Sequence, residues 1–335
     1  MTDRAKASDM MLEPRRKLAL AHLPTPIVRF PALDALVGTD VWVKRDDASG
    51  GAEAGNKIRK LEYLLADAQT LNAQAVITCG GVQSNHARAT AVAARRLGLR
   101  PILLLRCDDP PAKPWTGNLL LCVLLGADIR FISAAQYAHR DALMQAVHGD
   151  CARAGERAYV IPEGGSNGLG ALGYVDAMAE VRTQLDRAPE AYPSEFDAVV
   201  HACGSGGTAA GVALGAQLHA VAPEVIAVAV CDDRTSFELR IRGIIQEAVA
   251  LLTTACRPSH VRVIDEYKGP AYGIPSSEQV HFIEAVARGT GLILDPVYTG
   301  KALFGLSRLA DKPKRVLFLH TGGLPGLLAE GARFS

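Results

Sequence analysis

Short apolar segments alternate along this chain with longer stretches of helical character, and that rhythm constrains the fold more than any other feature. Residues 75–79, 101–105, 128–132 and 158–162 read as strands, with helices over 87–97 and 143–154. The run Glu163-Gly164-Gly165-Ser166-Asn167-Gly168 is dense enough in glycine to mark a boundary or hinge. A second series follows, with strands at 198–203 and 225–230, helices at 209–218 and 237–249, and closing strands at 292–294 and 316–319. Parallel strands need crossover connections, usually helical, so the pattern predicts an α/β fold of parallel sheets with helices on both faces. Upstream, 41–47 alternates like a strand end, and Ser49-Gly50-Gly51 breaks it.

A length of 335 residues suffices for one large or two medium domains with a sizeable core. The 36 basic and 35 acidic residues nearly cancel, so no charge excess points to nucleic acid or an anionic membrane. Small molecules or other subunits are the expected partners. The apolar run 119–125 is too short to cross a bilayer. Charges scattered through 1–17, with no long apolar core, make a secretion signal unexpected. None of the seven cysteines forms a Cys-x-x-Cys pair, which points away from a zinc or disulfide framework and towards a reducing, cytoplasmic compartment.

Six short stretches carry candidate chemistry. In Gly55-Asn56-Lys57-Ile58-Arg59-Lys60-Leu61, a turn is followed by Ile58, Leu61 and Leu65 at helical spacing, which puts Lys57 in the first turn with Lys60 on the same side. Gln83-Ser84-Asn85-His86 opens the alanine-rich helix after a strand, where side chains and amides converge at a positive helix end suited to a carboxylate; an ordinary N-cap is the alternative. Gly204-Ser205-Gly206-Gly207-Thr208 lies between a strand and a helix, where glycines let amides approach an anion. Taken alone it reads equally as a phosphate cradle, a dinucleotide fingerprint with Asp232 as the ribose acid, or a tight turn. Tyr272 and Tyr298 stand in glycine- or proline-bearing turns, and Thr299 and Thr321 accompany Asp295-Pro296-Val297-Tyr298 and His320-Thr321-Gly322-Gly323.

In that order, from Pro24-Thr25-Pro26 to Gly323, these motifs resemble the pyridoxal-phosphate enzymes of the tryptophan-synthase β-type fold, within them the D-cysteine desulfhydrases and 1-aminocyclopropane-1-carboxylate (ACC) deaminases. The resemblance implies a large domain of residues 1–59 and 171–335, a small inserted domain of 60–170, and pyridoxal 5'-phosphate between them. By it, Lys57 forms the imine with the cofactor aldehyde and moves the Cα proton. Lys60, Gly204, Ser205, Gly206, Gly207 and Thr208 hold the phosphate, Asn56 faces the 3-hydroxyl, and Asn85 also borders the cofactor. Ser84, Asn85 and His86 hold the substrate carboxylate, Ser84 assists proton transfer, Tyr298 acts as acid or base, and Tyr272 supports it.

By the same resemblance Thr299 and Thr321 border both cofactor and substrate, in place of the glutamate and leucine of the ACC deaminases. A hydroxyl near the pyridine nitrogen instead of a carboxylate makes a milder electron sink, so the resemblance favours β-elimination from D-cysteine to pyruvate, ammonia and sulfide. Elimination from cysteate, D-serine or β-chloroalanine and ACC deamination are the alternatives within the class, and a nicotinamide-dependent oxidoreductase is the one outside it. A homodimer without metal is implied. Glu53 and Ala54 depart from the aromatic and glycine usual in the desulfhydrases, which raises the question of a carboxylate near the cleft, and Cys231-Asp232-Asp233-Arg234 has no counterpart.

Overall fold

The computed structural model describes residues 16–252 and 256–334, so the arm before Arg16 lies outside the described residues. The strands are β1 (Ile27–Arg29), β2 (Asp40–Lys44), β3 (Ala75–Gly81), β4 (Arg100–Arg106), β5 (Asp128–Ile132), β6 (Ala158–Val160), β7 (Ala198–Cys203), β8 (Glu224–Ala229), β9 (His260–Ile264) and β10 (Arg315–Leu319). They form a six-stranded sheet in the order β1-β2-β10-β7-β8-β9 and a four-stranded sheet in the order β5-β4-β3-β6. All pairings are parallel except β1 with β2. β7 is buried along its whole length, as expected of a parallel strand covered on both faces.

The predicted helices are present as Asn85–Arg96, Arg140–Arg153, Gly207–Leu218 and Arg234–Val249. One expected strand is not: 292–294 is irregular chain. Leu292 and Leu294 are buried while Ile293 is 47% exposed, so the in-out pattern imitates a strand. The Ile293 carbonyl instead accepts a hydrogen bond from His320 Nε2 at 2.8 Å. Strands β1 and β9 stand at the two edges of the larger sheet, where charged residues such as Arg29, His260 and Arg262 mask the apolar pattern.

Two packing features position the site. Helices Gly168–Arg187 and Gly207–Leu218 lie so close that a Cβ on Gly211 would clash with the Ala171 carbonyl oxygen. The helix Asn56–Thr70 is anchored by a buried ionic network: Arg59 donates to both carboxylate oxygens of Asp46, at 3.0 and 2.8 Å, and to Glu180 at 3.0 Å. Tyr174 adds a hydroxyl to Asp46 at 2.6 Å. Burial alone would raise the Asp46 carboxyl, but the Arg59 charge and its hydrogen bonds hold it below its ordinary range. The first turn of that helix, which carries Lys57, is therefore fixed from behind.

Candidate active site

Three turns at the carboxyl ends of strands meet over this helix start, the place where open parallel sheets bind ligands. After β7, Gly204 to Gly206 lead into helix Gly207–Leu218, with Gly206 in the left-handed region at φ 88°. The loop closes on the Glu163–Ser166 turn: Ser205 Oγ and Ser166 Oγ are 2.8 Å apart, and the Gly207 amide donates to Ser166 Oγ at 3.3 Å. A Cβ on Gly207 would stand 2.6 Å from Ser166 Oγ and 2.9 Å from Lys60 Nζ, so only glycine keeps this cradle open. Lys60 is buried, and among the described residues its ammonium donates only to neutral groups, the Gly164 carbonyl and Ser166 Oγ, each at 3.2 Å. Burial, and then the nearby charge of Lys57, push its pKa well below the usual lysine value. Backbone amides at a helix start, hydroxyls and a buried cation with no carboxylate partner among the described residues suit a phosphate dianion.

Lys57 emerges beside this cradle. Gly55, at φ 119°, allows the entry, because a Cβ there would stand 2.8 Å from the Thr321 carbonyl oxygen. The Asn56 amide donates to that same carbonyl at 3.2 Å, and Asn56 Nδ2 donates to Thr208 Oγ1 at 3.1 Å. Burial lowers the Lys57 amine to about 8, so a sizeable neutral fraction exists near physiological pH. Its side chain borders two adjoining spaces. One is a narrow pocket lined by Asn56, Asn85, His201, Thr208 and Thr321 together with the glycine loop. The other is a cleft of about 190 Å³ that contains Ser84, His86, Arg106, Tyr272 and Tyr298.

The structure thus gathers Asn56, Lys57, Ser84, Asn85, His86, Gly204, Ser205, Gly206, Thr208, Tyr272, Tyr298 and Thr321 around one pair of spaces, with Lys60 and Gly207 behind the loop. Ser84 caps helix Asn85–Arg96 by accepting the Ala87 amide at 3.1 Å, which leaves its hydroxyl proton for a ligand. The two tyrosine hydroxyls are 2.7 Å apart. Burial pushes Tyr272 up to about 12 and Tyr298 well above its ordinary value, so both are protonated at neutral pH.

Two expected roles meet a different geometry. Thr299 is fully buried and is not among the residues lining either space. Its hydroxyl donates to Asp295 Oδ1 at 2.7 Å and accepts the Asp295 amide at 2.8 Å, so it closes the turn that presents Tyr298. His86 is buried: Thr78 Oγ1 donates to the Ile161 carbonyl at 2.9 Å and must therefore accept from His86 Nε2 at 2.8 Å. That tautomer leaves Nδ1 as an acceptor, and burial with the charges of Lys57 and Lys60 keeps the ring neutral, so it offers a carboxylate neither charge nor proton. Glu53 pairs with Arg96 at 2.7 Å and lines neither space, so its departure from the desulfhydrase pattern does not put a carboxylate in the cleft. Asp232 pairs with Arg240 at 2.9 Å in the cleft wall.

Residues 18–322 match the pyridoxal-phosphate dependent enzyme family. The chain belongs to that family. Its cofactor is pyridoxal 5'-phosphate, and the dinucleotide reading of the glycine loop falls away. A mitochondrial bifunctional D-cysteine desulfhydrase/ACC deaminase of Arabidopsis thaliana is 42% identical over 96% of this chain and 81% of its own length. A D-cysteine desulfhydrase of Salmonella choleraesuis is 37% identical over 93% of this chain and 95% of its own. The crystal structure of an ACC deaminase homologue superposes with a TM-score of 0.85 at 37% identity, covering 95% of each chain.

The cradle and the Lys57 amine fit the phosphate and aldehyde of this cofactor. Several neighbours of the site carry no local signature. Ser166 lies in a run that reads as a hinge, and its glycines are the only hint of close approach. His201 is a polar residue inside the apolar strand β7, and Arg106 ends β4 after an aliphatic run.

Proposed function

We propose that this enzyme eliminates the β-substituent of D-cysteine, or of a close β-substituted D-amino acid, to give pyruvate, ammonia and sulfide. One observation carries the reading: no carboxylate is among the described residues lining the pocket beneath Lys57, and Thr321 stands there. Pyridoxal phosphate, when bound, would supply an electron sink for the charge developing at Cα, and a pocket that offers it the Thr321 hydroxyl and no carboxylate would leave it a weaker sink. A weaker sink suits a reaction whose electron pair moves on directly to expel a leaving group from Cβ.

In this reading Lys57 Nζ takes the Cα proton, the more readily because burial has lowered its pKa to about 8. The Ser84 hydroxyl and the amides at the start of helix Asn85–Arg96 hold the α-carboxylate. Tyr298, protonated and oriented by Tyr272, donates towards the departing sulfur. The names of the Arabidopsis and Salmonella relatives support the substrate class. The test is incubation with D-cysteine and assay of sulfide and pyruvate. Absence of both products, with 2-oxobutanoate formed from ACC, would replace this reading by the deaminase one.

We further propose a homodimer in a reducing, cytoplasmic compartment, with 60–170 as a small domain inserted in a larger one. Seven cysteines without disulfides fit the compartment. The strands of the four-stranded sheet, β3 to β6, all fall within the inserted segment. Leu124, Leu324 and Leu328, exposed by 73%, 54% and 70% on the neighbouring helices Gly117–Leu124 and Leu324–Leu328, offer an apolar face to a second copy. Sedimentation at equilibrium distinguishes dimer from monomer.

A further inference from the structure

We propose that Lys301 is the positioning residue of the tyrosine pair: its buried ammonium ties the turn that carries Tyr272 to the helix that presents Tyr298, and so aims the Tyr298 hydroxyl. The inference rests on the β-elimination reading, in which Tyr298 donates to the departing group. It adds a residue that lines neither space of the site.

Lys301 is the third residue of helix Thr299–Arg308, and Tyr298 stands at the start of that helix. Neither the helix nor the core requires a cation there. The residue is fully buried, and a positive charge in the first turn of a helix opposes the helix dipole. An apolar side chain of similar volume would fill the space at lower cost, since an ammonium withdrawn from water is tolerated only where hydrogen bonds replace its hydration. Burial lowers the amine to about 8, so the ammonium with three donors is the prevailing form at neutral pH.

Those hydrogen bonds define the role. Among the described residues all of them run to main-chain carbonyls, of Lys268 at 2.5 Å, Ala271 at 3.0 Å and Val230 at 3.4 Å. The Ala271 carbonyl belongs to the peptide group that leads into Tyr272, and the Lys268 carbonyl to the one that leads into Gly269, where φ is 75° and the turn begins. The Val230 carbonyl belongs to the peptide group entering Cys231, which lines the cleft together with Tyr272 and Tyr298. One ammonium thus gathers three chain segments, each of which contributes a side chain to the cleft. Gln279 Nε2 holds the Tyr267 carbonyl at 2.7 Å, which secures the entry of the loop; its Tyr272 end has the lysine. The two rings meet edge to face with centroids 6.2 Å apart and hydroxyls 2.7 Å apart. One hydroxyl of that pair donates and the other accepts, so a shift of the Tyr272 turn redirects the Tyr298 proton.

Lys301→Met is compared with wild type, Tyr298→Phe and the double variant, all as holoenzymes. Trypsin cleavage after Lys268, followed by mass spectrometry, reads the turn without any turnover. A hydrogen bond to a charged group contributes about 1.5–3 kcal/mol, so cleavage there should quicken by roughly 10- to 150-fold while other sites are cut at the wild-type rate. In turnover, D-cysteine is set against β-chloro-D-alanine, whose chloride departs without a proton. The ratio of kcat/KM for the first to that for the second should fall by about tenfold or more, through kcat rather than KM. The double variant should be no slower than Tyr298→Phe, because the lysine acts through that hydroxyl. Lys301→Gln, a neutral donor on a shorter stem, should lose less in both readings, and it carries the same comparison if the methionine variant does not fold. Unchanged cleavage after Lys268 would overturn the proposal. So would losses from Lys301→Met and Tyr298→Phe that multiply in the double variant, which would give the lysine a role independent of the tyrosines. A wild type that makes pyruvate from neither substrate, with cleavage after Lys268 still quickened in Lys301→Met, would remove the elimination reading and keep the hold of the lysine on the turn.

Discussion

Lys60 gives a test in which the resting protein and the cofactor complex respond with opposite signs. Its ammonium is buried against a carbonyl and a hydroxyl, each at 3.2 Å, with Lys57 adding repulsion rather than relief. The folded-state pKa is therefore depressed. Without an anion the penalty is fully present at low pH, lessens as pH rises through the folded value, and disappears by the ordinary value of 10.5. Lys60→Met removes the charge and largely keeps the volume. Replacing buried charge by apolar packing is often neutral or stabilising by about 1–4 kcal/mol. Cofactor-free Lys60→Met should thus melt at or above the wild-type temperature at pH 7, and its stability should rise less with alkaline pH. Its affinity for pyridoxal phosphate should fall by roughly 10- to 150-fold, since the lost contact is a charge-assisted hydrogen bond of about 1.5–3 kcal/mol. Differential scanning calorimetry of the cofactor-free protein and absorbance titration with cofactor supply the two readings. A destabilised cofactor-free variant with unchanged cofactor affinity would make Lys60 a structural residue and refute the phosphate cradle.

Three further outcomes are expected. The rate at which cofactor-free protein attaches pyridoxal phosphate should climb by about tenfold per pH unit and level off near the Lys57 value of about 8; a climb continuing towards 10.5 would mean that burial does not act on this amine. Gly207→Ala should weaken cofactor binding by about 1–3 kcal/mol, because the methyl group enters a cradle bounded at 2.6 and 2.9 Å, and unchanged affinity in a titration would show that the loop yields. Asp46→Ala should cost about 3–5 kcal/mol in urea unfolding by leaving Arg59 without its main partner. Because the Asp46 carboxyl is held below its ordinary value of 3.8, that contribution should be present above this pH and fade as pH falls through the lower folded value.

What the chain revealed before folding was local chemistry. The helix start at Lys57, the Ser84 cap and the glycine loop after β7 each follow from a few adjacent residues, and each is where the spacing put it. Features created by chain closure left little local trace. Ser166 meets Ser205 only because the loop after β7 packs on the 163–166 turn, and Arg106 meets Tyr272 only because the turn bearing Tyr272 packs against the end of β4. Thr299 shows the converse: the motif makes the turn legible, while the partner of its hydroxyl in the structure, Asp295, follows from the folded turn and not from the resemblance. The 292–294 segment has the alternation of a strand without strand pairing, since its two leucines belong to the core cluster shared by the larger sheet and its helices while its backbone joins no sheet.

The central claim is that the amine of Lys57 carries the cofactor. Borohydride reduction of the holoenzyme followed by peptide mass spectrometry tests it directly. The account predicts loss of the yellow colour and one phosphopyridoxyl group, located on Lys57; a modification found on Lys60 or elsewhere, or a protein that never takes up the cofactor, would contradict it.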